Sequence, residues 1–577
     1  MVRGKGDLLS RRTNPVKLTP PRPGLSAAAA LVALAMFAVS AGCGAPRGDA
    51  NPDAKAPAAP ELAIDLAPEV GFGALLVTVR VAGPVTPSVR ELRVAKAWAD
   101  THAGEVLSDI EARDAAGKLE VGQPSDDGQD RVYPLLRAPE GTELTITYRA
   151  SGRGASSSNL ALRVGPDQIS GVGHSFLLLP PIREPMPAVV RWHINSMGQG
   201  VESASSLGVG AEVRAEATSE ELAHAAYVAG PLAVAEGKAG EKMVLLGKAE
   251  LDVGAVLDWT ARVRGIAARV FEGEGPPRDA GEDRFLFLLV AQPGMGRSHD
   301  GAHLSRSFAL WFDGSRALDP TLRIAITHEL VHRWIGASVR LDDERGRPAR
   351  WFAEGFTVHY ARRLLFDEKL ITPKDFAEDL RRTIDPGREV RDDAYRRGAL
   401  YAAHIDAAIR DRSRGKRSLD HVIRELLQAA RDRKSEALPA TALRDLVVRE
   451  LGEAAGEELD EAVVRGTKSI ALPNDAFGPC IKRRRAKEMV FDLGFDPASL
   501  RGDPGVTRGV VKGSAAARAG LRDGLIVLDA KLPDEGDPDK TREVEITVAG
   551  NRGARKIRFM PLYKKDVVRW AAWPCKR

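Results

Sequence analysis

Cysteine is scarce in this chain: three among 577 residues, at positions 43, 480 and 575. They leave room for at most one bridge within the chain, so disulfides are not what holds the fold together. Long apolar runs are also rare, and the one that stands out, Leu25 to Val39, is short for a bilayer span. Nor does the body of the protein carry a surplus of charge. Arg3, Lys5, Arg11, Arg12, Lys17 and Arg22 against Asp7 account for all of the net +5, so everything after residue 42 is formally neutral. A global electrostatic case for nucleic acid as a partner falls away. There is no internal repeat, and 44% hydrophobic with 28% charged residues excludes collagen-like, coiled-coil and wholly disordered chains. At roughly 100 to 200 residues per domain, the length predicts about three or four domains.

Residues 1–42 read as an export signal: a basic start, the apolar run LSAAAALVALAMFAV, then Ser40, Ala41 and Gly42 before Cys43. This arrangement resembles a bacterial lipoprotein signal. The resemblance implies lipidation of Cys43 and a cell-envelope location, anchored at the periplasmic face of a membrane. Arg11 and Arg12 belong to an ordinary basic start. Residues 43–60, rich in Ala, Pro, Gly and Asp, suit a flexible tether. In an exported protein, Cys480 and Cys575 remain as a pair in a compartment that permits a disulfide.

Between 61 and 240, short alternating runs such as LLVTVRVA (75–82), ELTITYRA (143–150) and VVRWHINS (189–196) are separated by Gly, Pro, Asp and Ser, which predicts an antiparallel β-rich domain. Residues 241–475 mix helical periodicity at 255–271, 320–336, 351–366 and 394–466 with strand-like FLFLLVAQ (285–292) and SFALWFDG (307–314), the pattern of an α+β domain. After the basic stretch Lys482–Arg485, residues 486–565 return to short strands with Gly-rich turns and form a third, β-rich domain. The expected fold class is thus multidomain α+β.

THELVHRW (327–334) carries the strongest chemical signal. Asp319-Pro320 supplies an N-cap and first-turn pair, placing His328, Glu329 and His332 on a helix. Histidines four apart share a face and can bind one metal ion, and the Glu between them can take a proton from an attacking water. A tetrahedral catalytic zinc needs a third ligand. Glu354 offers it from a second helical stretch, RWFAEGFTVHYARRLL, with 21 residues between it and His332.

HELVHRW followed by WFAEGFTVHY resembles the gluzincin metallopeptidases, which pair an HExxH helix with a glutamate from the next helix. The connection here is longer than is usual in alanyl aminopeptidases, although HRWIG is similar to them. YRRGALYAAHIDAAIRDRSRGKRSLDHVIREL (395–426) is similar to a helix of both alanyl and glycyl aminopeptidases, and its RSLD is closer to the glycyl family. The resemblance implies a thermolysin-like α+β catalytic domain, a Zn²⁺ cofactor held by His328, His332 and Glu354, Glu329 as catalytic base, and Tyr395 as hydrogen-bond donor to the oxyanion. Tyr401, His359 and Tyr360 are rivals for the last role. It also implies that SFALWFDG is the edge strand to which a peptide or protein substrate adds. The preceding PGMGRSHDGAHLSRS (293–307), read as a loop because of Gly294 and Gly301, lacks the glutamate with which such enzymes hold a substrate amine. Asp300 and Asp313 are the substitutes at hand, so dependence on a free amino terminus is expected to be weak. His299 and His303, four apart in a loop, are not expected to form a second metal site.

VFDLGFDPASL (490–500) and GSAAARAGLRDG (513–524) resemble a PDZ domain, which implies that Leu493, Gly494 and Phe495 form a carboxylate-binding loop for a peptide. The combined resemblance is to glycyl aminopeptidases: an exported, lipid-anchored zinc metallopeptidase. The alternative from another class is a periplasmic adaptor that binds zinc without catalysis and acts through the PDZ module.

Overall fold

The computed structural model describes residues 60–99, 101, 105–152, 158–238, 240–273, 286–384, 393–434, 437–502, 504–532, 543–550 and 553–575. The export signal, Cys43 and all of the tether but Pro60 lie outside the described residues.

The N-terminal third is β-structure built on strict alternation. Glu61–Glu69 and Ala74–Ala82 pair antiparallel and turn Leu62, Ile64, Leu66, Leu75, Val77, Val79 and Val81 into the interior. They sit near the middle of a seven-stranded sheet, beside a five-stranded and a three-stranded one. The sheet is not wholly antiparallel as the sequence predicts. Glu61–Glu69 runs parallel to Met186–Trp192, because the chain leaves this sheet and builds other strands before it returns.

The sheet that positions the candidate site has five strands in the order Leu232–Glu236, Lys242–Leu246, Leu286–Ala291, Ser307–Phe312 and His299–Leu304. By sheet membership, Leu232–Glu236 falls with the middle of the chain, so the change of layer lies before the expected boundary at 240. The three inner strands are mutually parallel and buried on both faces, which is why LFLLVA and SFALWF read as unbroken apolar runs. Phe287, Leu289, Phe308, Leu310 and Phe312 face a helical layer. Leu288, Val290, Ala309 and Trp311 face Leu160, Val172, Ala204 and Val228 of the N-terminal β-layers.

The helical layer includes Val253–Glu272, Pro320–Val331, Arg350–Asp367, Asp393–Arg412 and Leu419–Asp432. The long helical run expected over 394–466 is broken at Ser413–Ser418, and again beyond Asp432, where Leu438–Pro439 is a short strand before the helix that starts at Thr441. Arg350–Asp367 and Asp393–Arg412 cross at two glycines. A methyl on Gly355 would lie 2.4 Å from the Gly398 Cα, and one on Gly398 would lie 1.8 Å from the Trp351 carbonyl oxygen. No other residue pair allows backbones this close.

Beyond the helices, the basic stretch Lys482–Arg485 is part of a strand. Ile481–Phe491 pairs antiparallel over its whole length with Leu562–Ala572. A four-stranded sheet follows, packed around Phe495, Ala516, Leu521, Val544, Ile546 and Ile557. Cys480 and Cys575 are joined by a disulfide, with Cα atoms 5.2 Å apart. Closing so long a loop limits the unfolded chain and contributes about 4 kcal/mol in the chain-entropy picture. Cys480→Ser with Cys575→Ser should lower the unfolding free energy by up to that amount, measured by denaturant titration. Wild-type protein denatured without reductant should show no titratable thiol at either position.

Candidate metal centre

The helix Pro320–Val331 starts where its sequence says it should: the Asp319 side chain accepts the Leu322 amide at 2.8 Å and Pro320 occupies the first turn. It ends by tightening. The amides of Arg333 and Trp334 bond to the carbonyls three residues back, Leu330 and Val331. That leaves the Glu329 carbonyl without its usual partner four residues on, and the His303 imidazole donates to it from the neighbouring strand.

His328 and His332 bring their Nε2 atoms to 3.1 Å from each other, and each lies 3.4 Å from Oε2 of Glu354 on the next helix. With bonds of about 2.0–2.1 Å, the ligand atoms of a tetrahedral zinc are about 3.3 Å apart, so the three atoms already stand at the edges of such a tetrahedron. Nδ1 of His332 donates to the Ile335 carbonyl at 3.1 Å, which fixes the ring with the Nε2 lone pair turned inward. The donor set, two imidazoles and one carboxylate, suits zinc. Among the described residues this is the one group of three His, Cys, Asp or Glu side chains placed to share an ion.

Charge and burial are balanced against each other here. Burial works against a charge on His332, but the neighbouring Glu354 carboxylate outweighs it and moves the ring up to about 9. Burial would raise Glu354, yet His332 and His328 hold it well below the ordinary carboxylate range. Glu329, fully buried, moves the other way: burial raises it, Glu354 adds to the effect, and the two histidines offset only part. Tyr395 stacks at 6.3 Å from His328 and donates its hydroxyl to Glu354. The Gly355–Gly398 crossing, one residue from Glu354 and three from Tyr395, makes that approach possible.

Two expectations about the neighbouring chain are corrected. SFALWFDG is not at the edge of the sheet, and residues 299–304 are not a loop. His299–Leu304 is the edge strand and pairs antiparallel with Ser307–Phe312. The glycine that suggested a loop is required by contact: a methyl on Gly301 would lie 2.2 Å from Oε1 of Glu329. Since His299, Gly301 and His303 pair with Phe312, Leu310 and Phe308, they face the helices, whereas Asp300 and Ala302 face the N-terminal layers. Asp300 is therefore no amine anchor beside the metal ligands. It accepts from the Asn159 side chain at 2.6 Å. Asp313 is engaged too, held down to about 2 by the Ser315 hydroxyl and the amides of Gly296 and Ser315.

The rivals of Tyr395 point elsewhere. Tyr360 donates to Asp420, Tyr401 to the Ala455 carbonyl, and His359 is buried in the helical core, where desolvation lowers it to about 3. Leu493, Gly494 and Phe495 lie on a bend in which the Gly494 amide already donates to Asp492 at 2.7 Å and its carbonyl accepts from Val511. That amide is not free for a peptide carboxylate, and the side chain holding it is itself an acid. Gly301, His303 and the Gly355–Gly398 pair are the site residues that sequence reasoning missed. The alternation His-x-Gly-x-His over 299–303 was the available signal.

No family model matches the chain and no curated protein matches it in sequence. Among solved structures it is similar to an aminopeptidase N family protein from Idiomarina loihiensis, with a TM-score of 0.63 at 14% identity over 88% of this chain and 98% of that one. It is also similar to an M1 zinc metallopeptidase from Deinococcus radiodurans (TM-score 0.46, 17% identity, 72% of this chain and 95% of that one). A third similarity is to the yeast LTA4 hydrolase (TM-score 0.44, 13% identity, 72% and 68%). The first of these shows a shared fold over most of the described chain.

The contact between Gly301 and Glu329 can be measured as a coupling. Gly301→Ala should destabilise the metal-free protein by about 1–3 kcal/mol through overpacking. In a Glu329→Ala background the same change should cost nothing or stabilise, because the group it collides with is gone. Urea unfolding of all four proteins reads the cycle, and an equal cost in both backgrounds would overturn the assignment.

Proposed function

We propose that the protein is a zinc-dependent peptidase of glycyl-aminopeptidase type. The observation that carries this reading is the placement of His328, His332 and Glu354 at tetrahedral ligand separations with Glu329 buried beside them. Zinc bound there supplies a Lewis acid that makes water nucleophilic and withdraws charge from a carbonyl. Glu329, raised by burial, accepts the proton of the attacking water and passes it to the leaving amine. Tyr395, at hydrogen-bond reach of Glu354, turns its hydroxyl to the oxyanion as charge develops. The edge strand His299–Leu304 receives the substrate backbone, since the sheet offers it no partner on its outer side among the described residues.

The reading extends to export and lipid attachment at Cys43, supported by the sequence of residues 1–43, and to a PDZ-like C-terminal module that engages substrate or partner peptides. For the module, the support is the residue pattern of 490–524, and a peptide carboxylate has to displace Asp492 from the Gly494 amide.

Glu329→Gln should retain one equivalent of zinc and lose hydrolysis of a mixed peptide library, whereas His332→Ala should lose both. Zinc content by elemental analysis and cleavage by mass spectrometry check this; ordinary turnover by Glu329→Gln would sink the mechanism. A further outcome concerns the substrate amine. No carboxylate on the edge strand faces the metal helix, because Asp300 lies on the opposite face and Asp313 is held by Ser315 and Gly296. Acetylating the amino terminus of a good substrate should therefore change kcat/KM by less than about tenfold. A loss of about a hundredfold, worth about 2.7 kcal/mol, would mean that another acid supplies an anchor.

A further inference from the structure

The two-stranded ribbon formed by Ile481–Phe491 and Leu562–Ala572 has a charge unlike that of the rest of the chain. Its strands hold Lys482, Arg483, Arg484, Arg485, Lys487, Lys564, Lys565 and Arg569 against Glu488 and Asp566, a net +6; since residues 43–577 sum to zero, the rest of that body carries −6. Basic side chains on other elements are often paired: Lys556 and Arg558 share Glu545, and Arg417 bridges Glu425 and Glu450. On the ribbon, the side chains of Lys482, Arg484, Arg485 and Lys487 make no ion pair among the described residues. Arg484 stands directly opposite Arg569, an arrangement that disfavours the pairing of the strands.

The cations occupy both faces. Alternation sends Arg483, Arg485 and Lys487 to one side and Lys482 and Arg484 to the other. Apolar groups are exposed among them. Val568, directly opposite Arg485, is 64% exposed, and Trp573 next to the disulfide is 48% exposed. The root is firmly held: Ile481 and Trp570 are buried, Trp570 packs edge-on against Phe477 at 5.0 Å, and the Trp573 amide bonds to the Cys480 carbonyl.

We propose that this ribbon is a contact surface for anionic lipid headgroups, with the cations pairing to phosphates and Val568 and Trp573 entering the interfacial layer. Unpaired basic side chains beside exposed apolar ones are what an anionic membrane surface attracts. Base stacking is less well served. The one ribbon tryptophan within the strands, Trp570, is covered by the Arg483 guanidinium at 5.1 Å and by Phe477. The proposal does not depend on the peptidase reading, and failure of one leaves the other standing.

The test uses the full chain with Cys43→Ser, so that no lipid can be attached, and sedimentation with phosphatidylglycerol–phosphatidylcholine or pure phosphatidylcholine vesicles. Adding Arg484→Glu and Arg485→Glu should lower partition onto the anionic vesicles by at least about tenfold and leave the neutral ones unchanged. Arg484→Gln with Arg485→Gln should give a smaller loss in the same direction, and covers the case in which charge reversal impairs folding. Both proteins keep the same N-terminus, so the difference reads the ribbon. Val568→Ser with Trp573→Ser should weaken binding further. The competing role for such charges is to keep the ribbon's free edges from pairing with other chains. Unchanged anionic partition in the soluble variants, with or without new aggregation, would overturn the proposal, as would an equal loss on neutral vesicles.

Discussion

Two buried carboxylates, Glu329 and Glu354, share one small space with two imidazoles, and much of the surrounding structure serves to keep them there. Burial works against ionisation of both, and the Glu354 charge adds to it for Glu329. The histidines offset enough to hold Glu354 ionised but leave Glu329 shifted upward. A divalent cation held by His328, His332 and Glu354 would remove the conflict. Its charge would stabilise the Glu354 carboxylate and favour neutral imidazoles at His328 and His332, the state in which they can act as ligands. The geometry has to be maintained by packing, because the side chains alone have reason to separate.

Packing does this from three directions. Gly301 lets the edge strand close on the Glu329 carboxylate, and His303 ties the same strand to the Glu329 carbonyl. Gly355 and Gly398 let the next two helices touch at backbone distance. Behind the ligand, the glutamate helix is pinned by buried charges: Arg362 donates to Asp379 and Thr383, and Arg363 to Asp420, which also accepts from Tyr360, while Asp406 accepts the Leu419 amide. Removing one partner of such a buried pair costs about 3–5 kcal/mol, whereas the intact pair adds little net stability. Its effect is to fix how the helix is rotated, and therefore where Glu354 points.

The candidate ligands were legible in the sequence because their signal is local. His328, Glu329 and His332 lie on one helical turn behind a recognisable cap, and Glu354 lies on the next helix. The edge strand was not legible, since two histidines, an aspartate and a glycine offer no apolar alternation, and its strand character comes from pairing with Ser307–Phe312. Parallel pairing of Glu61–Glu69 with Met186–Trp192 was hidden for a related reason: alternation reports which face is buried and carries no information on which distant strand lies alongside. Lys482–Arg485 showed in sequence only as a basic stretch, and pairing with a strand about 85 residues later makes it part of a ribbon.

The same long-range pairing explains why the N-terminal layers matter to a site built from other parts of the chain. They cover the outer face of the site's sheet, through Leu160, Val172 and Val228 against Leu288 and Trp311. They also reach the edge strand through Asn159, which donates to Asp300 and accepts from Gln292. An edge strand with a glycine at its centre and few apolar side chains has little of its own to hold it flat. Asn159 clamps it on one face and Glu329 packs against it on the other. Among the described residues no strand of the sheet lies along that outer side, which faces the candidate metal centre, and that is where the proposed substrate backbone would add.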